Sequence, residues 1–141
     1  SRCTRPPHQL LRVTVAGSPT SAASPLVFIH GWPDDSRVWL PILPAFSDRR
    51  CVLIDLPRYD GELWEGAELG LDAVAALAAL TIRSEQQPVT LIAHDWGAFI
   101  AGLVLTEHPE LVERLVMLDV GVLPRYGTPK LFLIGTFIVL Y

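Results

Sequence analysis

Apolar residues along this chain come in short unbroken runs separated by turn formers, and the runs alternate in length between strand and helix. Leu26–His30 is a continuous apolar stretch without a two-residue alternation, the pattern of a strand covered on both faces, and Arg50–Leu56 and Val89–Ala93 read as a second and a third buried strand. Gly31 and Pro33 end the first, Pro57 ends the second, and Pro88 introduces the third. A fourth short run, Leu115–Leu118, follows the connection Pro109–Glu113. Leu10–Val15 alternates weakly and runs into Ala16-Gly17-Ser18-Pro19, a strand and a turn. Between these lie three helical patterns. Arg37–Phe46 is capped by Ser36 and shortened or kinked by Pro41 and Pro44. Leu71–Ser84 places Val74, Leu77, Ala78 and Thr81 at helical spacing. Trp96–Glu107 is apolar almost all round, so it is predicted to be buried against a sheet. Strands alternating with helices predict an α/β fold, a parallel sheet with helices on both faces. Ligands of such sheets collect at the carboxyl ends of the strands.

Composition narrows the function classes. Half of the 141 residues are apolar and 18% are charged, enough for a core. A formal charge of −4 with no basic run gives no electrostatic reason for a nucleic-acid partner. Cys3 and Cys51 lack metal-ligand spacing, and Cys51 opens an apolar run as a buried hydrophobe would. Nothing in this demands an oxidising compartment, which favours the cytoplasm slightly and leaves localisation open. No phosphate-binding glycine loop or ligand cluster is present, so neither a metal nor an organic cofactor is expected. The apolar stretch Leu131–Tyr141 has eleven residues, short of the roughly 20 a membrane span needs. Membrane contact from Leu131 onward is left open by that pattern. The absence of an initiator Met and the apolar end suggest a sequence cut at both ends.

Two motifs carry chemistry, and both follow buried strands. Ala93-His94-Asp95-Trp96-Gly97 stands between a strand and a helix, with the small-x-nucleophile-x-small pattern of a nucleophile elbow. Small residues at Ala93 and Gly97 suit a turn that brings backbones together, and the exposed position falls on Asp95. The alternative is that Asp95 caps the following helix. The second motif, His30-Gly31-Trp32-Pro33, lies 65 residues earlier.

In order, spacing and strand context, His-Gly-Trp-Pro followed by His-Asp-Trp-Gly-Ala resembles the α/β-hydrolase superfamily, in its epoxide hydrolase and haloalkane dehalogenase branch. Ile54-Asp55-Leu56-Pro57-Arg58-Tyr59 is similar to that family's Asp-x-Arg-Gly-Tyr-Gly segment, with a Pro before the Arg and a Gly missing. The stretch from His108 to Asp119 matches the family's exit from the elbow helix into the next strand. The resemblance implies the α/β-hydrolase fold as a partial sheet that stops before the cap and C-terminal strands. It divides the chain into a lead-in (1–9), the N-terminal portion of the core (10–120) and the start of a cap or connecting region (121–141).

The resemblance also implies roles. Asp95 is the nucleophile, and the backbone N–H groups of Trp32 and Trp96 form the oxyanion hole. His30, Gly31, Pro33, His94 and Gly97 are supporting residues, and the two tryptophans line the substrate cavity. A carboxylate needs no base to become nucleophilic. It suits displacement at saturated carbon, with a small apolar epoxide or halide as substrate and an alkyl ester on Asp95 as intermediate. Hydrolysing that ester takes a base and an acid. The family places these in strands beyond this sequence, so the chain is expected to be inactive as it stands. Asp119 and Tyr126 are candidate substitutes equally explained by loop position. Two alternatives remain, a haloalkane or haloacetate dehalogenase and a non-catalytic hydrolase-fold binding module.

Overall fold

In a computed structural model, residues 11–57 and 70–119 are described in full, and residues 131–134 and 137–140 by their backbone. The lead-in 1–9, Arg58, Tyr59 and Tyr126 lie outside the described residues. Among the described residues, seven strands form one sheet in the order β1-β3-β2-β4-β5-β7-β6. The strands are β1 (Val13–Gly17), β2 (Leu26–Ile29), β3 (Arg50–Ile54), β4 (Val89–His94), β5 (Val112–Leu118), β6 (Leu131–Ile134) and β7 (Phe137–Leu140). The centre is parallel, β3 on β2, β2 on β4 and β4 on β5, while β1 and the β6–β7 hairpin add antiparallel edges. The sheet is therefore mixed, where the apolar runs alone predicted parallel pairing.

The pleat divides the core in two. Val27, Ile29, Val52, Ile54, Leu91, Ala93, Leu115 and Met117 face α1 (Leu71–Arg83) and α2 (Trp96–Glu107). Leu26, Phe28, Cys51 and Leu53 face the segment Ser36–Phe46 on the other side, where Phe28 packs at 5.3 Å between ring centroids on Trp39. Burial on both faces is why β2 and most of β3 read as apolar runs, while β4 is fully buried on one face and half-buried on the other. Cys51 is fully buried there, and loss of solvent pushes its thiol pKa up. At the amino end of β3, Arg50 makes a two-pronged ion pair with the buried carboxylate of Glu85, at 2.6 and 3.0 Å.

Three elements depart from the sequence reading. Ser36–Phe46 is a 3-10 helix. Pro41 and Pro44 lack the N–H groups that α-helical bonding at their positions would need, and the tighter winding accommodates them. Its cap is Asp35 rather than Ser36: Asp35 accepts from the Arg37 backbone N–H at 2.9 Å, while Ser36 is buried as the first helical residue. β5 begins at Val112, three residues earlier than its apolar run, because backbone pairing with β4 extends over polar residues. The apolar run after residue 130 holds two short strands, β7 pairing with β5 and β6 with β7. No helix among the described residues is long and apolar enough to cross a membrane.

The Asp35 cap gives an acid-stability prediction. Its side-chain hydrogen bonds from the Arg37 guanidinium, and then the Arg37 backbone N–H, hold its carboxyl at about 2, below the ordinary 3.8. A depressed folded pKa stabilises fully above the unfolded value and is lost as pH falls through the folded one. The contribution of Asp35 is therefore present above 3.8 and disappears as pH approaches about 2. Asp35→Asn is expected to flatten that limb of a melting-temperature profile. An unchanged slope in the variant would remove the cap from the account.

Candidate active site

The carboxyl ends of β2 and β4 lie side by side, Ile29 opposite Ala93, so the two motifs meet although 65 residues separate them. Asp95 occupies the turn between β4 and α2 with φ 51° and ψ −120°. That backbone conformation is one that glycine adopts freely and a residue with a Cβ rarely does. It lifts the half-buried side chain above the strand ends instead of along α2.

The carboxylate does not cap α2. Its Oδ2 accepts from the backbone N–H of Trp32 at 3.0 Å. Oδ1 has no hydrogen bond among the described residues. The Asp95 backbone is held from both sides: its N–H donates to Leu118 O on β5 at 3.2 Å, and its C=O accepts from Ala98 N–H at 2.9 Å. The Trp96 N–H stands next in the chain at the start of α2, with no hydrogen bond to the carboxylate recorded.

Two glycines make this approach possible. A Cβ on Gly31 would lie 2.5 Å from Asp95 Cβ and 2.8 Å from His94 O. A Cβ on Gly97 would lie 2.5 Å from Ile29 O and 2.9 Å from Ile29 C. Sequence reasoning asked for a small residue at Gly97 because helix and strand come close. The strand concerned is β2, whose end is thereby locked against the first turn of α2.

His30 is fully buried and braces the same corner. Its Nε2 accepts from Leu56 N–H at 3.0 Å, so its proton is on Nδ1, which lies 3.0 Å from Gly31 O and donates to it. The ring thus ties the end of β2 to the end of β3. Next to it, buried Asp55 accepts from Ser36 N–H at 3.1 Å and from Arg12 Nε at 3.2 Å. The sequence signal for Asp55 was a carboxylate inside an apolar run, a position sustained only with partners. Pro33 follows Trp32 through a cis peptide.

Trp32 is 60% exposed, and Trp96 and Phe99 are also exposed, their rings 5.5 Å apart. Phe99 was missed in the sequence, although it stands one turn after Trp96. Trp96 and Phe99 thus form an exposed aromatic pair in the first turn of α2, directly after Asp95. A separate groove of about 720 Å³ runs along the sheet face, lined by Ile42, Phe46, Ile92, Val116 and Leu118 among others. Asp95, Trp32, Trp96 and Phe99 do not line it, although Leu118, which accepts the Asp95 N–H, does. No group of three or more His, Cys, Asp or Glu side chains among the described residues could hold a metal ion.

The sequence profile of the α/β hydrolase fold matches residues 24–137. The chain belongs to that family. As an α/β hydrolase it is 32% identical over 98 residues to the soluble epoxide hydrolase of Corynebacterium sp., covering 67% of this chain and 34% of that protein. It is 30% identical over 104 residues to the biotin biosynthesis bifunctional protein BioHC of Teredinibacter turnerae, covering 70% and 18% respectively. The structure of epoxide hydrolase A from Mycobacterium thermoresistibile superposes with a TM-score of 0.70 at 24% identity, over 84% of this chain and 38% of that one, a likeness of fold. The chain spans well under half the length of the curated relatives it matches, from 18% to 39%. Relatives with such different names share one fold, so chemistry must be argued from the site.

Proposed function

We propose that this hydrolase-fold chain carries the nucleophile half of an epoxide hydrolase-like site acting on small apolar epoxides. The observation that carries the reading is the Trp32 N–H on Asp95 Oδ2, with no hydrogen bond on Oδ1 among the described residues. The donor fixes the carboxylate and offsets the charge on the held oxygen, which leaves the other oxygen as the attacking atom. Oδ1 attacks an epoxide carbon, that carbon's bond to the epoxide oxygen breaks, and the released alkoxide takes a proton. The product is an alkyl ester on Asp95 with a neighbouring hydroxyl. Water then adds to the ester carbonyl carbon, the negative charge develops on the carbonyl oxygen, and expulsion of the diol restores Asp95. Trp32 N–H is placed to stabilise that oxyanion, and Trp96 N–H is the second donor proposed. The exposed Trp32, Trp96 and Phe99 fit an apolar substrate body.

The second step needs a base. Among the described histidines, His30 is engaged by β3, His94 faces Asp119, and His108 stands at the far end of α2. The 141-residue chain is therefore expected to be alkylated once and not to turn over. Incubation with a small reactive epoxide, followed by intact-mass measurement and peptide mapping, tests this. One adduct per chain on Asp95 supports the reading. Modification elsewhere, or none, removes the nucleophile assignment, and sustained diol release removes the single-turnover claim.

A further inference from the structure

Two residues in the left-handed region stand next to each other at the strand ends. Asp95 follows β4 with φ 51°, and Asp119 follows β5 with φ 54°. Between them run two links. One is the backbone bond from Asp95 N–H to Leu118 O. The other is between side chains: His94 Nε2 lies 3.6 Å from Asp119 Oδ2. Together they close a ring through His94, Asp95, Leu118 and Asp119. The other ring nitrogen, His94 Nδ1, is buried with no hydrogen-bond partner among the described residues.

We propose that His94 and Asp119 form a clamp that holds the Asp95 turn to the end of β5, and that the clamp tightens when His94 carries its second proton. At 3.6 Å the two groups attract as an ion pair when the imidazole is charged, and they are loosely placed when it is neutral. Among the described residues, the carboxylate within ion-pair distance of His94 is that of Asp119. On β2, His30 is committed to Leu56 N–H and Gly31 O. On the turn itself, the Asp95 carboxylate accepts from Trp32 N–H through Oδ2 and makes no ion pair with His94 among the described residues. On α2, the first turn brings no acidic side chain. His94 is thus a positioning residue, acting on Asp95 through the backbone bond that the clamp shields. Its effect on nucleophile reactivity rests on the function proposed above; the clamp itself does not.

The test is hydrogen exchange at the Asp95 amide in the full chain, expressed as a protection factor so that intrinsic exchange cancels. Measurements near about pH 5.5 and about pH 8.5 bracket the range in which histidines change charge. In the wild type, protection of Asp95 is expected to be about two- to fivefold higher at the lower pH, the scale of a partly exposed ion pair. Asp119→Asn and His94→Gln should each abolish that difference, and the double variant should lose nothing more. Asp119 is 83% exposed, so its substitution leaves the core intact, and the Leu91 amide serves as the control. A pH-independent Asp95 protection factor overturns the clamp, as does equal loss at both pH values or a parallel loss at Leu91. The epoxide adduct rate is read on the same variants. Adduct failure in every chain, with the exchange pattern present, counts against the nucleophile and leaves the clamp standing.

Discussion

Gly97→Ala is expected to destabilise the fold by about 3 kcal/mol or more and to take Asp95 out of position. Overpacking a core ordinarily costs about 1–3 kcal/mol because neighbouring side chains can shift. At Gly97 the new methyl meets backbone: Ile29 O at 2.5 Å and Ile29 C at 2.9 Å. Ile29 is paired on both sides, to Ile54 and to Ala93, so it cannot withdraw without breaking two ladders. The alternative is for α2 to move away from β2. That movement carries Asp95 from Trp32 N–H and uncovers the apolar face shared by Ala98, Ile29 and Ala93. Denaturant unfolding of the two chains measures the loss, and the epoxide adduct on the surviving folded fraction reports the displacement. A variant within about 0.5 kcal/mol of wild type, the range of an unremarkable surface change, would show that the elbow is looser than its contacts indicate.

What the sequence disclosed, and what it concealed, follows from the range of the interactions. The buried strands were legible because β2 is covered on both faces, β3 is buried from Cys51 on, and β4 buries Val89, Leu91 and Ala93 against the helices. The location of the site was legible too, since His30-Gly31-Trp32 and His94-Asp95-Trp96 each end such a strand. Pairing direction was not: β1 alternates as weakly as many parallel strands do, and its antiparallel course is set by the register Val13 to Ile54. The cap moved from Ser36 to Asp35 because Ser36 N–H is claimed by Asp55, 19 residues away. A local capping rule has no access to such a contact. The same holds for Asp119. Its position after β5 made it a strand-end acid in the sequence, but its place opposite His94 depends on the β4–β5 register, His94 against Leu118. Asp95 illustrates the opposite case. A helix-capping role and an elbow role predict the same residue at the same position, and the structure shows that the side chain does not cap α2 but accepts from Trp32 N–H.

Those angles lead to the last prediction, which separates stability from chemistry at one residue. Asp95→Gly is expected to stabilise the chain by about 1 kcal/mol while abolishing the epoxide adduct. A residue with a Cβ held in a sparsely populated backbone region costs roughly 1–3 kcal/mol, and glycine removes most of that cost. Against it stand the greater freedom of glycine in the unfolded chain, about 0.5–1 kcal/mol, and the loss of the acceptor for Trp32 N–H. Trp32 is exposed, so water can take that N–H and the second loss is small. Asp95→Ala distinguishes strain from the carboxylate, since alanine loses the charge but keeps the Cβ in the unfavourable region. The expected order of melting temperature is glycine above aspartate, with alanine at or below aspartate. All three chains share the core packing of Ala93, Ala98 and Ile29, so differences among them report on the turn. If glycine melts below aspartate, the turn is not strained and the Trp32–Asp95 bond contributes more to stability than its exposed setting suggests. If glycine melts higher, the fold tolerates an unfavourable conformation at Asp95, and its only return is a carboxylate oxygen presented freely at the strand ends.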